Sequence, residues 1–169
     1  MFPICRGNSP LTSDQKQLLK TWIAALLWML LIAIESTDMF SAEHTSRLLY
    51  PLLHFLMGMD VARFAVVHHY IRKVGHFVGY FTLSFFLFRA WRATLHLPWA
   101  PRWALRWAAI AFTMSAMVAS LDEWHQSFIP SRTGVFSDVV LDSCAALTAQ
   151  VLIFVFLNWK PRGMIAAGD

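Results

Sequence analysis

Nine polar side chains in two stretches carry the residue types able to do chemistry: Lys73, His76 and Tyr80 in "RKVGHFVGY", then Asp122, Glu123, Gln126, Arg132, Asp138 and Asp142 in "LDEWHQSFIPSRTGVFSDVVLD". Lys73 and Arg132 offer cations to an anionic group, and an arginine fork suits bidentate phosphate binding. His76, Glu123 and Asp138 are the groups able to move a proton, and they are the catalytic candidates. Tyr80 and Gln126 can satisfy remaining donors and acceptors. Charge is costly to leave unpaired in apolar surroundings. Lys73 is therefore expected to pair with Asp122 or Glu123, and Arg132 with Asp138.

The surroundings are apolar. The chain has 169 residues, 57% hydrophobic and 14% charged, against about 25% charged in a soluble domain. Its mean hydropathy is +0.51. These values exclude an ordinary soluble domain and indicate a single membrane domain over residues 1–169. The net charge of +4 does not indicate nucleic acid, because Lys and Arg flank apolar runs and form no solvated basic stripe. Cys5 lies near the N-terminus and Cys144 within the last apolar run, so no bridge between them is expected.

Four spans are predicted, at about 18–40, 74–91, 103–121 and 135–159. The first has an uninterrupted apolar centre of Trp22 to Ile34. It is read as a retained anchor, since no small-x-small cleavage site follows and Glu35 and Asp38 come next. Between the first two spans, "SRLLYPLLHFLMGMDVARFAVV" is amphipathic, is expected to break at Pro51 and Gly58, and suits the membrane interface. Backbone polar groups in lipid must be satisfied within a helix or a closed barrel. The predicted fold class is therefore an all-α integral membrane protein, a bundle of four transmembrane helices with that interfacial amphipathic segment between the first and second. The tryptophans at 22, 91, 99, 103, 107, 124 and 159 read as an aromatic belt.

Orientation follows from basic residues. With the N-terminus inside, Arg6, Lys16, Lys20, Arg89, Arg92, Arg102, Arg106, Lys160 and Arg162 fall on the cytoplasmic side, and Arg47, Arg63, Arg72, Lys73 and Arg132 outside. Nine against five favours both termini in the cytoplasm of a multi-pass plasma (inner) membrane protein. Four helix ends then bring ionisable residues to one membrane level. Lys73, His76, Tyr80 and Ser84 share an arc of the second span, while Gly75 and Gly79 form a GxxxG on the adjoining face that allows self-association. Ser115, Ala119, Asp122 and Gln126 make a stripe on the third span; Asp138, Asp142, Ala145 and Ala149 make one on the fourth. Taken singly, Lys73 reads as a snorkelling anchor, and Asp138 as a charge at a helix start capped by Ser137. Their conjunction at one level is what points to a site.

"RKVGHFVGYFTL" followed by "DEWHQSFIPSRTGVFSDVVLD" resembles the VanZ-like membrane proteins, with their Lys-x-x-His-x-x-x-Tyr in one helix and then Asp-Glu-x-x-Gln, Pro-x-Arg and a later Asp. Lys73, His76, Tyr80, Asp122, Glu123, Gln126, Pro130, Arg132 and Asp138 occupy those positions. Gly79 stands where the family often has Glu, Asp142 where it usually has Asn, and Ala145 where it usually has Gly. The resemblance implies an envelope protein of a family whose founding member is associated with low-level teicoplanin resistance.

The reading preferred from the sequence is binding at the outer leaflet of an anionic lipid or lipid-linked cell-wall precursor, through Lys73, His76, Tyr80, Asp122, Glu123, Gln126, Arg132, Asp138 and Asp142. Envelope maintenance or glycopeptide tolerance would be its consequence. One alternative is an intramembrane hydrolase or transferase on a lipid-linked phosphate, using His76 or Glu123 as base; "SRTGVFSD" resembles the Ser-Arg run of lipid phosphatases, but the downstream His is missing. Binding is preferred to catalysis. Another alternative is a structural bundle acting through protein partners. No cofactor or metal is assigned, although a metal variant of the enzyme reading would use His76, Glu123 and Asp138.

Overall fold

Thr12 opens the first helix with a capping box: its hydroxyl accepts from the Gln15 N–H, and the Gln15 side chain accepts from the Thr12 N–H. In this computed structural model, which describes residues 11–95, 102–130, 132 and 134–159, α1 runs Ser13–Glu35. A single 3-10 turn follows at Asp38–Phe40, then α2 (Ala42–Met57), α3 (Val61–Thr94), α4 (Leu105–Gln126) and α5 (Phe136–Asn158). The described residues contain no strand. Expectations that touch Cys5, Arg6, Trp99, Ser131, Lys160 and Arg162 lie outside the described residues.

The helix boundaries correct the predicted spans. The first apolar run stops helically at Glu35, and Asp38 lies in the 3-10 turn. The second span belongs to a helix of 34 residues that begins at Val61, where Asp60 caps it by accepting from the Arg63 N–H. Pro51 does not break the chain: it sits inside α2. The break falls at Gly58, whose φ of 60° closes α2 in the left-handed conformation that glycine adopts without a Cβ penalty.

α3 is the hub, packing on α1, α4 and α5, and α4 packs also on α5. Contacts along the helices give their directions. Trp22 donates to Thr94 and Trp28 to the Gly79 carbonyl, so α1 and α3 are antiparallel. Ser84 donates to the Ala146 carbonyl while Lys73 meets Asp138, so α3 and α5 run parallel. Tyr80 meets Asp122 and Trp91 meets Met114, so α4 runs back. The core joins alanines of α4 and α5 (Ala108, Ala111, Ala119, Ala145) to Leu83, Leu87 and Trp107, small residues permitting close helix approach. Gln150 donates to both the backbone carbonyl and the hydroxyl of Ser84 within this apolar body.

The opposite faces are apolar and exposed. Leu26, Leu27 and Leu30 on α1, and Leu147, Val151 and Phe156 on α5, point outward. Such continuous apolar surface belongs in lipid. Among the described residues α1 and α5 are each long and apolar enough to cross a membrane. A third crossing arises if the Asp38–Met57 stretch and α3, bent by 118° at their junction, count as one element. α4 carries Arg106 near its start and Asp122 and Glu123 near its end and does not qualify on length and apolarity, so by that measure alone the described residues give two to three spans rather than the four predicted.

Candidate functional site

The ends of α1 and α4, the start of α5 and the middle of α3 meet at one place. α4 ends there with Asp122, Glu123 and Gln126 all buried. α5 starts at Phe136 without a capping side chain, and Glu123 of α4 binds the residue just before it: its Oε2 accepts the Val135 N–H at 2.8 Å. A carboxylate at a helix start also meets the positive end of the macrodipole. The return of the chain demands Gly134, since a Cβ there would collide with the Glu123 carbonyl oxygen and crowd Ser127.

Each predicted site residue can be placed. Tyr80 donates to Asp122 at 2.9 Å. His76 Nδ1 lies 3.3 Å from Asp142 Oδ2, and Asp142 is fully buried. Lys73 pairs with Asp138, not with Asp122 or Glu123. Arg132 does not pair with Asp138. It is 8% exposed and donates to the carbonyls of Glu35 at 2.5 Å and Thr37 at 2.8 Å, with Nη1 3.3 Å from Gln126 Oε1. The reason is the end of α1: the Glu35 carbonyl is among its last, which lack intrahelical partners and carry the negative end of the dipole, and the buried guanidinium satisfies it and also reaches the Thr37 carbonyl just beyond the helix. Burial and the neighbouring Arg72 push the Arg132 pKa below its ordinary value, while Asp122, Asp38 and Glu123 pull it back.

The catalytic candidates are only partly brought together. His76 and Glu123 converge, but their third neighbour is Asp142, and Asp138 is held by Lys73. Several polar atoms of the cluster are buried without a protein partner: Glu123 Oε1, Asp142 Oδ1, Gln126 Nε2 and Arg132 Nε. Groups that are orphaned in this way call for a partner of another kind, whether water, ion or ligand.

Beside the cluster lies a cavity of about 550 Å³ between α2, α3 and the α4–α5 return. Its lining includes Arg72, Lys73, Arg132, His68, His69 and His76, with Asp138 as the acidic member. A second space of about 30 Å³, room for a water or two, lies between α1, α3 and α4 beside Gly75, Gly79 and Tyr80. Within this chain the GxxxG glycines border that space, and Trp28 of α1 reaches the Gly79 carbonyl.

His68, His69 and Arg72 were missed as site residues from the sequence. Arg72 donates to the Phe40 carbonyl at 2.9 Å, and His68 lies 3.0 Å from Thr45 Oγ1 and stacks on Phe64. The signal was present in "HHYIRKVGH", whose i, i+1, i+4, i+5 and i+8 positions hold basic side chains once the helix is extended before Lys73.

Fold and site together define an all-helical membrane protein with a cluster of interlocked ionisable side chains at one end of its helices. Residues 21–157 match VanZ/LLP1, most of the chain, and the chain belongs to the VanZ/LLP1 family. No curated protein and no solved structure matches it.

Proposed function

We propose that this VanZ-family protein binds an anionic lipid headgroup, of a phospholipid or a lipid-linked cell-wall precursor, at the outer leaflet of the plasma membrane. The observation that carries the proposal is the cavity of about 550 Å³, with three basic side chains and three histidines in its lining. Its mouth belongs to the helix ends, where headgroups lie when α1, α3, α4 and α5 all cross the bilayer. In that arrangement both termini are cytoplasmic, by the excess of Lys and Arg at the opposite ends. α2 has no buried residue and exposes Leu48, Leu52 and Phe55, which suits a helix lying in the interface. Holding such a precursor would bear on envelope maintenance and glycopeptide tolerance.

Binding is preferred to hydrolysis or group transfer because the three acid–base candidates are not brought together: His76 and Glu123 converge, but Asp138 is held by Lys73. The test changes the cavity and leaves the contacts among α1, α3, α4 and α5 untouched. Arg72→Gln with His69→Gln removes one positive charge and one imidazole from the lining, together with the Arg72 bond to the Phe40 carbonyl, while leaving the Lys73–Asp138 pair and the Arg132 clamp in place. Anionic lipid co-purifying with the protein is expected to fall in the double variant. An unchanged lipid profile contradicts the proposal.

A further inference from the structure

We infer that His76, Glu123 and Asp142 form a binding site for one divalent metal ion of the zinc class, a site that needs no lipid. The three side chains come from α3, α4 and α5, and each offers a ligand atom, all within 4.8 Å of one another. Zinc bonds of about 2.0–2.2 Å to nitrogen and oxygen place ligand atoms roughly 3–3.5 Å apart, so closing on an ion asks for shifts of about an ångström. One imidazole and two carboxylates are donors that suit a first-row divalent cation.

Charge and hydrogen bonding point the same way. Asp142 is fully buried and Glu123 is 5% exposed, and each has one carboxylate oxygen without a protein partner. Gln126 Nε2 and Arg132 Nε, also without a partner, bond neither oxygen, and other donors around the site are engaged elsewhere. Lys73 pairs with Asp138, Arg132 holds the Glu35 and Thr37 carbonyls, and Tyr80 donates to Asp122. A divalent cation neutralises two buried carboxylates and takes up their orphaned oxygens in one step. Glu123 is already oriented by the Val135 N–H on its other oxygen, the kind of outer contact that holds a ligand in place. Three protein ligands leave a further coordination position open, and His76 also borders the cavity.

The test uses the full chain in detergent, stripped with chelator and titrated with Zn²⁺, the bound metal being counted by mass spectrometry and Co²⁺ serving as an absorbance probe. About one ion per chain is expected, with Glu123→Gln and Asp142→Asn each weakening binding at least about tenfold. Asp138→Asn, which alters the Lys73 pair, is expected to keep the ion. Circular dichroism establishes that each variant is folded; if one of the two ligand variants is not, the other decides. Folded wild-type protein without bound metal overturns the inference, as does metal retained in a folded ligand variant or lost equally in Asp138→Asn. Because the readout is bound metal rather than lipid, a negative result leaves the headgroup proposal standing.

Discussion

Arg132 lies across the end of α1, with Nη2 2.5 Å from the Glu35 carbonyl and 2.8 Å from that of Thr37, while Nη1 faces Gln126 at the end of α4. One side chain from the α4–α5 return thus ties together two helices that are far apart in sequence. Its work is done by fork geometry as much as by charge. Arg132→Ala is expected to destabilise the protein by about 2–3 kcal/mol, since charge-assisted bonds are lost and the Glu35 carbonyl is orphaned. Arg132→Lys is expected to recover only part, because an ammonium cannot span the same acceptors. Denaturant unfolding in detergent measures both.

Gly134 and Gly79 are expected to respond oppositely to alanine. At 134 a Cβ meets the Glu123 backbone oxygen, whereas at 79 nothing lies within 4 Å. Gly134→Ala is expected to cost about 1–3 kcal/mol through forced backbone movement. Gly79→Ala is expected to be neutral or stabilising by up to about 1 kcal/mol, since alanine favours a helix interior. Thermal unfolding of the two variants side by side checks this.

Tyr80→Phe removes the donor to buried Asp122 and nothing else of comparable polarity. A loss of about 1–3 kcal/mol is expected. Asp122→Asn in the same background is expected to restore part of it, because the remaining side chain is then uncharged. Unfolding of the single and double variants gives the coupling.

Lys73 and Asp138 are expected to behave as a unit. A double-mutant cycle with Lys73→Met and Asp138→Asn should give a coupling of about 0.5–3 kcal/mol. A cycle of Lys73→Met with Glu123→Gln should give close to none if the observed pairing is the working one. Stability measurements on the four proteins of each cycle decide between the two partners.

How far the sequence could be read depends on which forces set each feature. Apolar length and acidic breaks located α1, α4 and α5 to within five residues at each end, because long apolar runs are marked by composition. Helical phase put Lys73, His76, Tyr80 and Ser84 on one face, and all four do meet partners on α4 or α5. The pairings were not legible. Whether Lys73 finds Asp138 or Glu123 depends on the rotation and offset of α5, and Glu123 is diverted by the Val135 N–H, a backbone group that leaves no mark in residue type. Arg132 was assigned a side-chain anion because carbonyl acceptors at a helix end cannot be seen in a list of charges. The upstream extension of α3 was missed because His68, His69 and Arg72 lower hydropathy just where the helix leaves the apolar run.

Headgroup selectivity is where an anion-binding cavity and a merely structural one part. Detergent-purified protein titrated with short-chain phosphatidic acid and with phosphatidylcholine, each at two salt concentrations, reads the preference without cellular variables. The anionic lipid is expected to bind at least about tenfold tighter, roughly 1.4 kcal/mol, with the preference shrinking at high salt and disappearing in Arg72→Gln with His69→Gln. Equal affinity for the two lipids, or a preference untouched by the double variant, would contradict it.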